Sequence, residues 1–331
     1  MNKHPIALGV CCALVLGRHL LPAAPAQGCV VGWGGNISGE ATGNPSYPFS
    51  NGVVVMTGSS TATGAVTIAG QVLSNAVMIS AGTHSLALRT DGTVVGWGWN
   101  SFGEVLGEKT PSPGRTNGVV KINGQILSNV VSTVAGLKSS LALMKDGAVV
   151  TWGENYVPKE LTNIIAIAAD ESHSWVLKRD GTVVGWWREN TPSYGLLSAK
   201  NVSNAVAIAV GSAPQGGTRG VALKNDGTVM KWGAETIYKD ATTPAGLSNV
   251  IAVAAGYNHT LALKRDGTVF GWGFNTLGQA TGVPNTNFIS VSTGQVIIGQ
   301  QVLSNVVSIA AGHEFSLALK KDGTVVAWGG D

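Results

Sequence analysis

The chain repeats one sequence pattern six times, and this repetition limits the available folds more than any other feature. The copy at Leu247 reads LSNVIAVAAGYNHTLALKRDGTVFGWG, and the copy at Leu303 reads LSNVVSIAAGHEFSLALKKDGTVVAWG. Self-similarity over tens of residues is typical of solenoids, propellers and other repeat architectures. The six copies begin at Leu73, Leu127, Leu161, Val202, Leu247 and Leu303.

Each copy contains three short runs rich in Val, Ile, Ala and Leu, and their alternation is typical of β-strands. Asp-Gly lies between the second and third runs of every copy. Two-residue hairpin turns of the primed types favour this dipeptide because they need positive φ. The pattern therefore predicts an antiparallel sheet of at least three strands per copy. The predicted turn glycines are Gly92, Gly147, Gly181, Gly227, Gly267 and Gly323.

A tryptophan occupies the same place near the end of the third run in each copy, and a partial copy, CVVGWGGN, begins at Cys29. A large flat side chain suits the wedge between twisted sheets that radiate from an axis, and the AAG phrase suits a crowded strand near that axis. We therefore expect an all-β fold, a β-propeller of radially repeated blades. The tryptophans expected to be structural are Trp33, Trp97, Trp152, Trp186, Trp232, Trp272 and Trp328.

The combined phrase, AG-x-x-H-S-L-A-L followed by D-G and then W-G, resembles the regulator of chromosome condensation repeat. The resemblance extends over nearly the whole chain from Cys29 to Gly330, and it implies a seven-bladed propeller. One branch of that family exchanges nucleotide on a small GTPase in the nucleus. A secreted bacterial branch, which inhibits β-lactamases, opens with a similar VVxWGGN phrase and is the closer analogy here.

The chain has seven tryptophan phrases but only six Asp-Gly hairpins. This count predicts a seven-blade template with an incomplete closing blade, or alternatively a ring of six blades. Residues 53–58 (VVVMTG) and 65–70 (AVTIAG) offer extra strand material. The sequence stops just after TVVAWGG, which predicts an end in mid-repeat. A weak seam between Cys29–Asn36 and Val325–Gly330 is expected, and it could join two protomers as a dimer.

The first residues read as a secretory signal peptide over residues 1–26, with residues 27–331 as one propeller domain of six full repeats plus a partial one. Lys3 precedes a short apolar run, and Ala24-Pro25-Ala26 fits the cleavage pattern. The run is too short to span a bilayer. We expect a secreted, cell-surface or periplasmic protein that retains Cys29 alone of its three cysteines; whether Cys29 carries a lipid stays open.

The sequence favours no catalytic or metal chemistry. His84, His173 and His259 recur at one repeat position, but one residue per blade cannot converge on a metal, so each is expected to bond the backbone of its own blade. Asp170 and Glu171 are adjacent, which directs them to opposite faces of a strand. We therefore predict no enzyme activity, no cofactor and no metal. The formal charge of only +3 also argues against a nucleic-acid partner.

Basic residues cluster just before the Asp-Gly turns, where a propeller would place them along one edge. They are either a solvated rim that resists edge pairing or an anion-binding rim for an acidic polysaccharide or an acidic protein. The predicted function is non-enzymatic binding of a protein or surface glycan through loops such as Ser38–Gln71, Ser101–Ile126 and Asn275–Gln301. A structural spacer in a cell-surface assembly is the alternative, and a hydrolase or lyase is a third reading that the missing ligand sets disfavour. The basic residues are Arg89, Lys145, Lys178, Arg179, Lys224, Lys264, Arg265, Lys320 and Lys321.

Overall fold

A computed structural model describes residues 12–13, 31–35, 61–108, 115–154, 156–159, 161–187, 196–213, 217–233, 243–285 and 291–330. Every regular element among these residues is a β-strand, and none of them belongs to a helix that could cross a lipid bilayer. The chain divides into two compact units. The first is made of Met1–Gly9, Leu20–Leu161 and Arg188–Asn190, and the second of Val10–His19, Thr162–Trp187 and Thr191–Asp331.

Each of the six repeats forms an antiparallel sheet of a first, a middle and a third strand, as the sequence predicts. In the first unit the sheets are Ala76–Ala81, His84–Arg89 and Val94–Trp99, then Val130–Ala135, Ser139–Met144 and Val149–Gly153. In the second unit they are Ile164–Ala169, His173–Lys178 and Val183–Trp187; Ala205–Ala213, Gly217–Lys224 and Val229–Gly233; Val250–Ala255, His259–Lys264 and Val269–Phe274; and Val306–Ala311, Phe315–Lys320 and Val325–Gly329.

Three third strands gain a fourth strand at their outer side. These added strands are Arg115–Val119, Leu197–Ser198 and Val291–Gln295. Three short ribbons precede first strands and pair Thr67–Ile68 with Gln71–Val72, Lys121–Ile122 with Gln125–Ile126, and Ile297–Ile298 with Gln301–Val302. Cys12–Ala13 is a further two-residue strand.

The strand that contains Trp33, Val31–Gly35, pairs with Thr61–Ala65 as a two-stranded sheet. The AVTIAG segment therefore supplies the end of this sheet and one arm of the first ribbon. The VVVMTG segment, the expected cleavage region at residues 24–27 and Asp331 lie outside the described residues. The number of blades and the seam stay predictions.

The hairpin turns differ in type from the sequence prediction. The turn glycines have φ between +77° and +87°, but none of the preceding aspartates does. In the first hairpin, Arg89 N donates to Thr93 O at 2.9 Å and Gly92 N donates to Arg89 O at 3.0 Å. The loop therefore has three residues, a type I turn followed by a glycine bulge, and the predicted two-residue primed turn is wrong. The Asp91 carboxylate accepts hydrogen bonds from Thr93 N and Oγ1, which stabilises this longer loop.

An asparagine in the left-handed region, with φ between 55° and 60°, immediately precedes every first strand. Its carbonyl accepts a hydrogen bond from the residue that precedes the Asp-Gly of the same repeat. Asparagine tolerates this conformation better than other non-glycine residues, which explains the repeated Ser-Asn phrase. The residues are Asn75, Asn129, Asn163, Asn204, Asn249 and Asn305.

Within each unit, repeated tryptophans lie between successive repeats. All six in the complete repeats are at most 8% exposed. Trp152 packs in one buried cluster with Leu86 and Leu88 of the preceding repeat, and Trp328 packs with Leu261 in the same way. Within each unit, a sheet is therefore packed against its neighbour in sequence through this tryptophan.

Candidate functional site

Each sheet has two ends with different chemistry. The middle strand begins at one end, called here the loop edge, and finishes at the Asp-Gly hairpin, called the tip edge. In the strand His259–Lys264, for example, the two ends lie about 16 Å apart at the usual rise per residue. The histidine position is at the loop edge, and the basic residues are at the tip edge.

Three of the nine predicted basic residues form ion pairs with the aspartate of their own turn. The Nζ atoms of Lys224, Lys264 and Lys320 lie 3.5 Å from a carboxylate oxygen of Asp226, Asp266 and Asp322. Hydrogen bonds from the threonine after the turn glycine, together with the lysine charge, hold the pKa of these aspartates below their usual value. These pairs are exposed, so each adds little stability.

The other tip cations differ in their surroundings. Lys145, Arg179, Arg265 and Lys321 are exposed, and Lys178 is half-buried. Arg89 lines a shallow groove of about 190 Å³ that it shares with Gln71 and Asp91.

The predicted cationic rim is therefore uneven. Both tips of the first unit carry one cation and one carboxylate. Three tips of the second unit, at Asp180, Asp266 and Asp322, carry two cations and one carboxylate.

At the loop edge of the first unit, buried side chains connect two successive repeats. His84 Nε2 lies 2.6 Å from Ser140 Oγ, and Ser140 Oγ donates to Glu104 O at 2.7 Å. The hydroxyl has one proton, which goes to that carbonyl, so His84 Nε2 is the donor to serine. Trp152 Nε1 donates to the same carbonyl at 2.8 Å. The prediction that His84 bonds its own blade is wrong, because its ring turns toward the next repeat.

The same network recurs in the second unit. His259 Nε2 lies 2.7 Å from Ser316 Oγ, which donates to Gln279 O at 2.8 Å, and Trp328 Nε1 donates to that carbonyl at 3.1 Å. Burial lowers the pKa of His84 and of His259 to about 3, so both rings are neutral at physiological pH. We call each set of histidine, serine, carbonyl and tryptophan a relay.

A five-residue loop supplies each relay carbonyl, and sequence reasoning did not identify it. Asn100 Oδ1 accepts from Val105 N at 2.7 Å, and Asn275 Oδ1 accepts from Ala280 N at 2.9 Å. Each loop also contains a glycine with φ near +86°. The pattern N-x-x-G-[EQ], which occurs after Trp99 and after Phe274, was the signal available in the sequence.

Glu104 is the one acidic member of these loops, and it is buried completely. Its Oε2 accepts from Phe102 N at 2.7 Å, while Oε1 has no hydrogen-bond partner among the described residues. Burial raises the pKa of Glu104 to about 7; the Glu154 charge raises it further, and the Lys138 charge opposes the shift. Glu104 is therefore poised to titrate near neutral pH.

The third repeat replaces the relay with a buried acid cluster. His173 Nδ1 lies 3.0 Å from Asp170 Oδ1, and Thr218 Oγ1 donates to Asp170 Oδ2 at 2.6 Å. Trp175 Nε1 approaches Thr218 Oγ1 at 3.3 Å. All of these groups are buried, so the cluster connects the third and fourth repeats. The expectation that Asp170 and Glu171 lie on opposite faces of a strand is wrong, because the strand ends at Ala169 and both residues follow it.

In the stretched fourth repeat, Arg219 occupies the histidine position. It pairs with Gly233 in the register in which His259 pairs with Gly273. Arg219 is buried at 7% exposure. The histidine position therefore holds a basic or polar group in most repeats. In the fourth repeat the insertion before Arg219 prevented its alignment from the sequence.

The outer surface of the loop edge varies from repeat to repeat. In the first unit, Lys138 Nζ lies 4.6 Å from the centroid of the Phe102 ring and 3.5 Å from Glu154. In the second unit, the rings of Tyr257 and His313 are stacked with centroids 4.0 Å apart. These side chains place aromatic and charged groups at the loop edge, where Glu154 is exposed and the others are half-buried. No group of three or more metal-ligating side chains occurs within the described ranges.

Comparison with known proteins agrees with this architecture. Three segments, residues 82–104, 250–279 and 306–331, match the Regulator of chromosome condensation (RCC1) repeat. Yeast RCC1 (Prp20), solved bound to Kap60, is 21% identical with a TM-score of 0.56, over 76% of this chain and 70% of that protein. A second structure of Prp20p, from Saccharomyces cerevisiae, is reported with its binding properties to Gsp1p and histones.

Two further similar structures come from other settings. Human WBSCR16 is 19% identical with a TM-score of 0.55, over 75% of each chain. The ectodomain of the Arabidopsis thaliana receptor kinase ACR4 is 18% identical with a TM-score of 0.52, over 97% of this chain and 98% of that one. At these identities the likeness concerns the fold. The chain therefore carries segments that match the RCC1 repeat within an all-β fold of the RCC1 propeller type.

Proposed function

We propose that this protein is a secreted, non-enzymatic binding propeller that holds another protein through its loop edge. The observation that carries the proposal is the contrast between the two edges. The tip edge repeats Asp-Gly in all six copies, whereas the two residues before the histidine position change from Leu137-Lys138 to Tyr257-Asn258 and His313-Glu314. Variable side chains on a rigid scaffold are where binding specificity is usually encoded.

The buried relays support this assignment because they make the loop edge rigid. Asn100 and Asn275 hold their loops through hydrogen bonds to backbone amides, and the relay serines connect those loops to the next repeat. A preordered surface loses less conformational entropy on binding. The stacked Tyr257 and His313 rings then present a fixed aromatic surface, a side-chain type that is enriched in interfaces.

The similar structures are compatible with a binding role, although fold alone does not assign a partner. Prp20p is described with binding to Gsp1p and histones, and the ACR4 domain is an ectodomain. Secretion rests on the leader at residues 1–26. If it is correct, the exported protein begins at or near Gln27, and an extracellular product that retains Met1 would exclude it.

The binding proposal is tested by purification from the native host under conditions that preserve complexes. We expect one protein partner at fixed stoichiometry, and we expect the double variant Tyr257→Ser/His313→Ser to lose it. The matched control is Lys264→Ser/Lys320→Ser at the tip edge, which should retain the partner. Recovery of the wild-type protein without any stoichiometric partner would favour the structural spacer, and release of a bound partner by glycosidase treatment would favour a glycan.

A further inference from the structure

Every first strand carries a β-bulge one residue after its start, and the extra residue is an exposed aliphatic side chain. The register of the first and middle strands shifts at this point in all six repeats. Isolated exposed aliphatics are ordinary, but an aliphatic side chain that is exposed at one position in six copies is not isolated. The residues, with their exposed fractions, are Val77 41%, Val131 45%, Ile165 37%, Val206 50%, Ile251 37% and Val307 50%.

In the second unit three of these side chains, Val206, Ile251 and Val307, lie between successive hairpin tips. The residue before each of the three donates its amide to the turn glycine of the preceding repeat: Ala205 N to Gly181 O at 3.4 Å, and Val250 N to Gly227 O and Val306 N to Gly267 O, both at 3.0 Å. The same residue pairs with the lysine of its own tip, as Val250 does with Lys264. Ile251 and Val307 therefore each lie beside two tips at the tip edge.

The tips beside these aliphatics carry the surplus positive charge of the second unit. Arg265 N donates to Asn249 O, and Lys321 N donates to Asn305 O, both at 2.8 Å. The backbone amide of each of these cations is thus bonded to an asparagine that lies two residues before an exposed aliphatic side chain. Their charged groups form no ion pair within the described residues, because the turn aspartates pair instead with Lys264 and Lys320.

We propose that the tip edge of the second unit is a second docking surface, for a segment of another protein that combines acidic and apolar side chains. The surface consists of Val206, Ile251 and Val307 together with Arg179, Arg265 and Lys321, and we call it the aliphatic row. Exposed aliphatic side chains recur here beside unpaired cations. A ligand with apolar side chains would bury the aliphatics, and its acidic side chains would neutralise the cations. The tips of the first unit lack the surplus charge, so the second unit is the one that binds.

This surface is separate from the loop edge and is tested with synthetic probes. Three fluorescent twelve-residue peptides are titrated by fluorescence anisotropy into the full chain: one alternating Asp/Glu with Leu/Phe, one alternating Asp/Glu with Ser, and one alternating Lys with Leu/Phe. We expect saturable binding of the acidic-apolar peptide alone, weakened by added salt because part of the attraction is electrostatic.

The variant Val206→Asp/Val307→Asp places like charge in the aliphatic row and should weaken binding at least about tenfold. Val283→Asp is the matched control, because Val283 is equally exposed at 51% but follows the Asn275 loop at the loop edge. Circular dichroism and thermal midpoints establish that the variants fold. Tyr257→Ser/His313→Ser should bind the peptide as the wild type does, which separates this proposal from the loop-edge function.

Several results would overturn the proposal. Equal binding of the acidic-Ser peptide would show attraction by charge alone, and equal binding of the Lys-containing peptide would show non-specific apolar adhesion. Absence of binding at about 1 mM peptide, the weakest range for a specific complex, would also exclude it. If sedimentation instead shows a wild-type dimer that Val206→Asp/Val307→Asp converts to a monomer, the occupant is a second copy of this chain.

Discussion

The relay of the first unit and the relay of the second have the same hydrogen bonds but differ by one ionisable group. His84, Ser140 and Trp152 converge on the carbonyl of Glu104, and His259, Ser316 and Trp328 converge on that of Gln279. In both relays the backbone carbonyl accepts the hydrogen bonds from serine and tryptophan, so the side chain at this position can differ. The difference shows that the architecture depends on the loop backbone, while the glutamate adds sensitivity to protons.

The opposite charges beside the two relays reinforce this contrast. Lys138 precedes the histidine position next to Glu104, whereas Glu314 holds the corresponding place near Gln279. A cation beside Glu104 limits the rise of its pKa. A carboxylate at position 279 would have Glu314 at the place that Lys138 holds beside Glu104.

The largest expected effect comes from removing a relay tryptophan. Trp152→Ala and Trp328→Ala each delete a buried side chain and a donor to the relay carbonyl, so each should lower the free energy of unfolding by about 3–5 kcal/mol. Urea denaturation measures the effect, with Lys145→Ala as the surface control, expected within about 0.5 kcal/mol. If only one of the two tryptophan variants lowers the free energy of unfolding, the two relays are not equivalent.

A pH-dependent effect of up to about 3 kcal/mol is expected from Glu104. Its pKa rises from 4.5 in the unfolded chain to about 7 in the folded protein, so the protonated form favours folding. That stability is complete below pH 4.5 and is lost as the pH rises through 7. Glu104→Gln should remove this part of the pH dependence in urea titrations between pH 4.5 and 8.

The reciprocal change transfers the effect to the other unit. Gln279→Glu should make the protein lose further stability as the pH rises. The negative charge of the nearby Glu314 should enlarge this effect, because it raises the pKa of the new carboxyl. If Glu104→Gln leaves the pH profile of the wild type unchanged, the carboxylate is solvated and the contrast between the relays disappears.

Removing a relay serine should cost less. Ser140→Ala and Ser316→Ala each leave a buried carbonyl without its hydroxyl donor and a histidine Nε2 without its acceptor, at about 1–3 kcal/mol. Thermal or urea unfolding of the two variants should give similar losses. A loss below about 0.5 kcal/mol in either would mean that the hydroxyl contributes no net stabilisation there.

The smallest effect concerns the charges around Glu104. Lys138→Met should move the midpoint of the Glu104 titration to higher pH, and Glu154→Gln should move it to lower pH, because the first charge lowers and the second raises its pKa. Both groups are partly exposed, so the shifts should be small. Carboxyl NMR titration of Glu104 in the two variants measures them; shifts of the same sign would contradict the assignment.

The sequence predicted the fold because the same local pattern recurs six times, so strand runs, turn glycines and tryptophans could be checked against one another. It predicted the hairpin type wrongly, because Asp-Gly fits both a two-residue primed turn and a three-residue turn with a glycine bulge. The threonine hydroxyl at Thr93, bonded to Asp91, favours the latter.

The relays escaped prediction for a different reason. His84 and Ser140 lie in neighbouring copies, 56 residues apart, and a comparison of copies aligns equivalent positions instead of the positions that touch. The exposed bulge residues escaped because Val131 looks like any other strand valine until the register shift is known. The division of the basic residues between paired and unpaired cations escaped because it depends on side-chain geometry at each turn.

The direction of the relay has a consequence for how such a chain can be inherited. Because His84 bonds a serine in the following copy, a repeat inserted at a relay junction would need a serine for the preceding copy and a histidine for the following one to keep both contacts. At such a junction the compatible unit is therefore a pair of adjoining repeats. Gly220 stands at the serine position after His173, and there Thr218 supplies the hydroxyl from two residues earlier. At this junction a hydroxyl still meets the histidine, although the residue that carries it lies two positions earlier in the repeat.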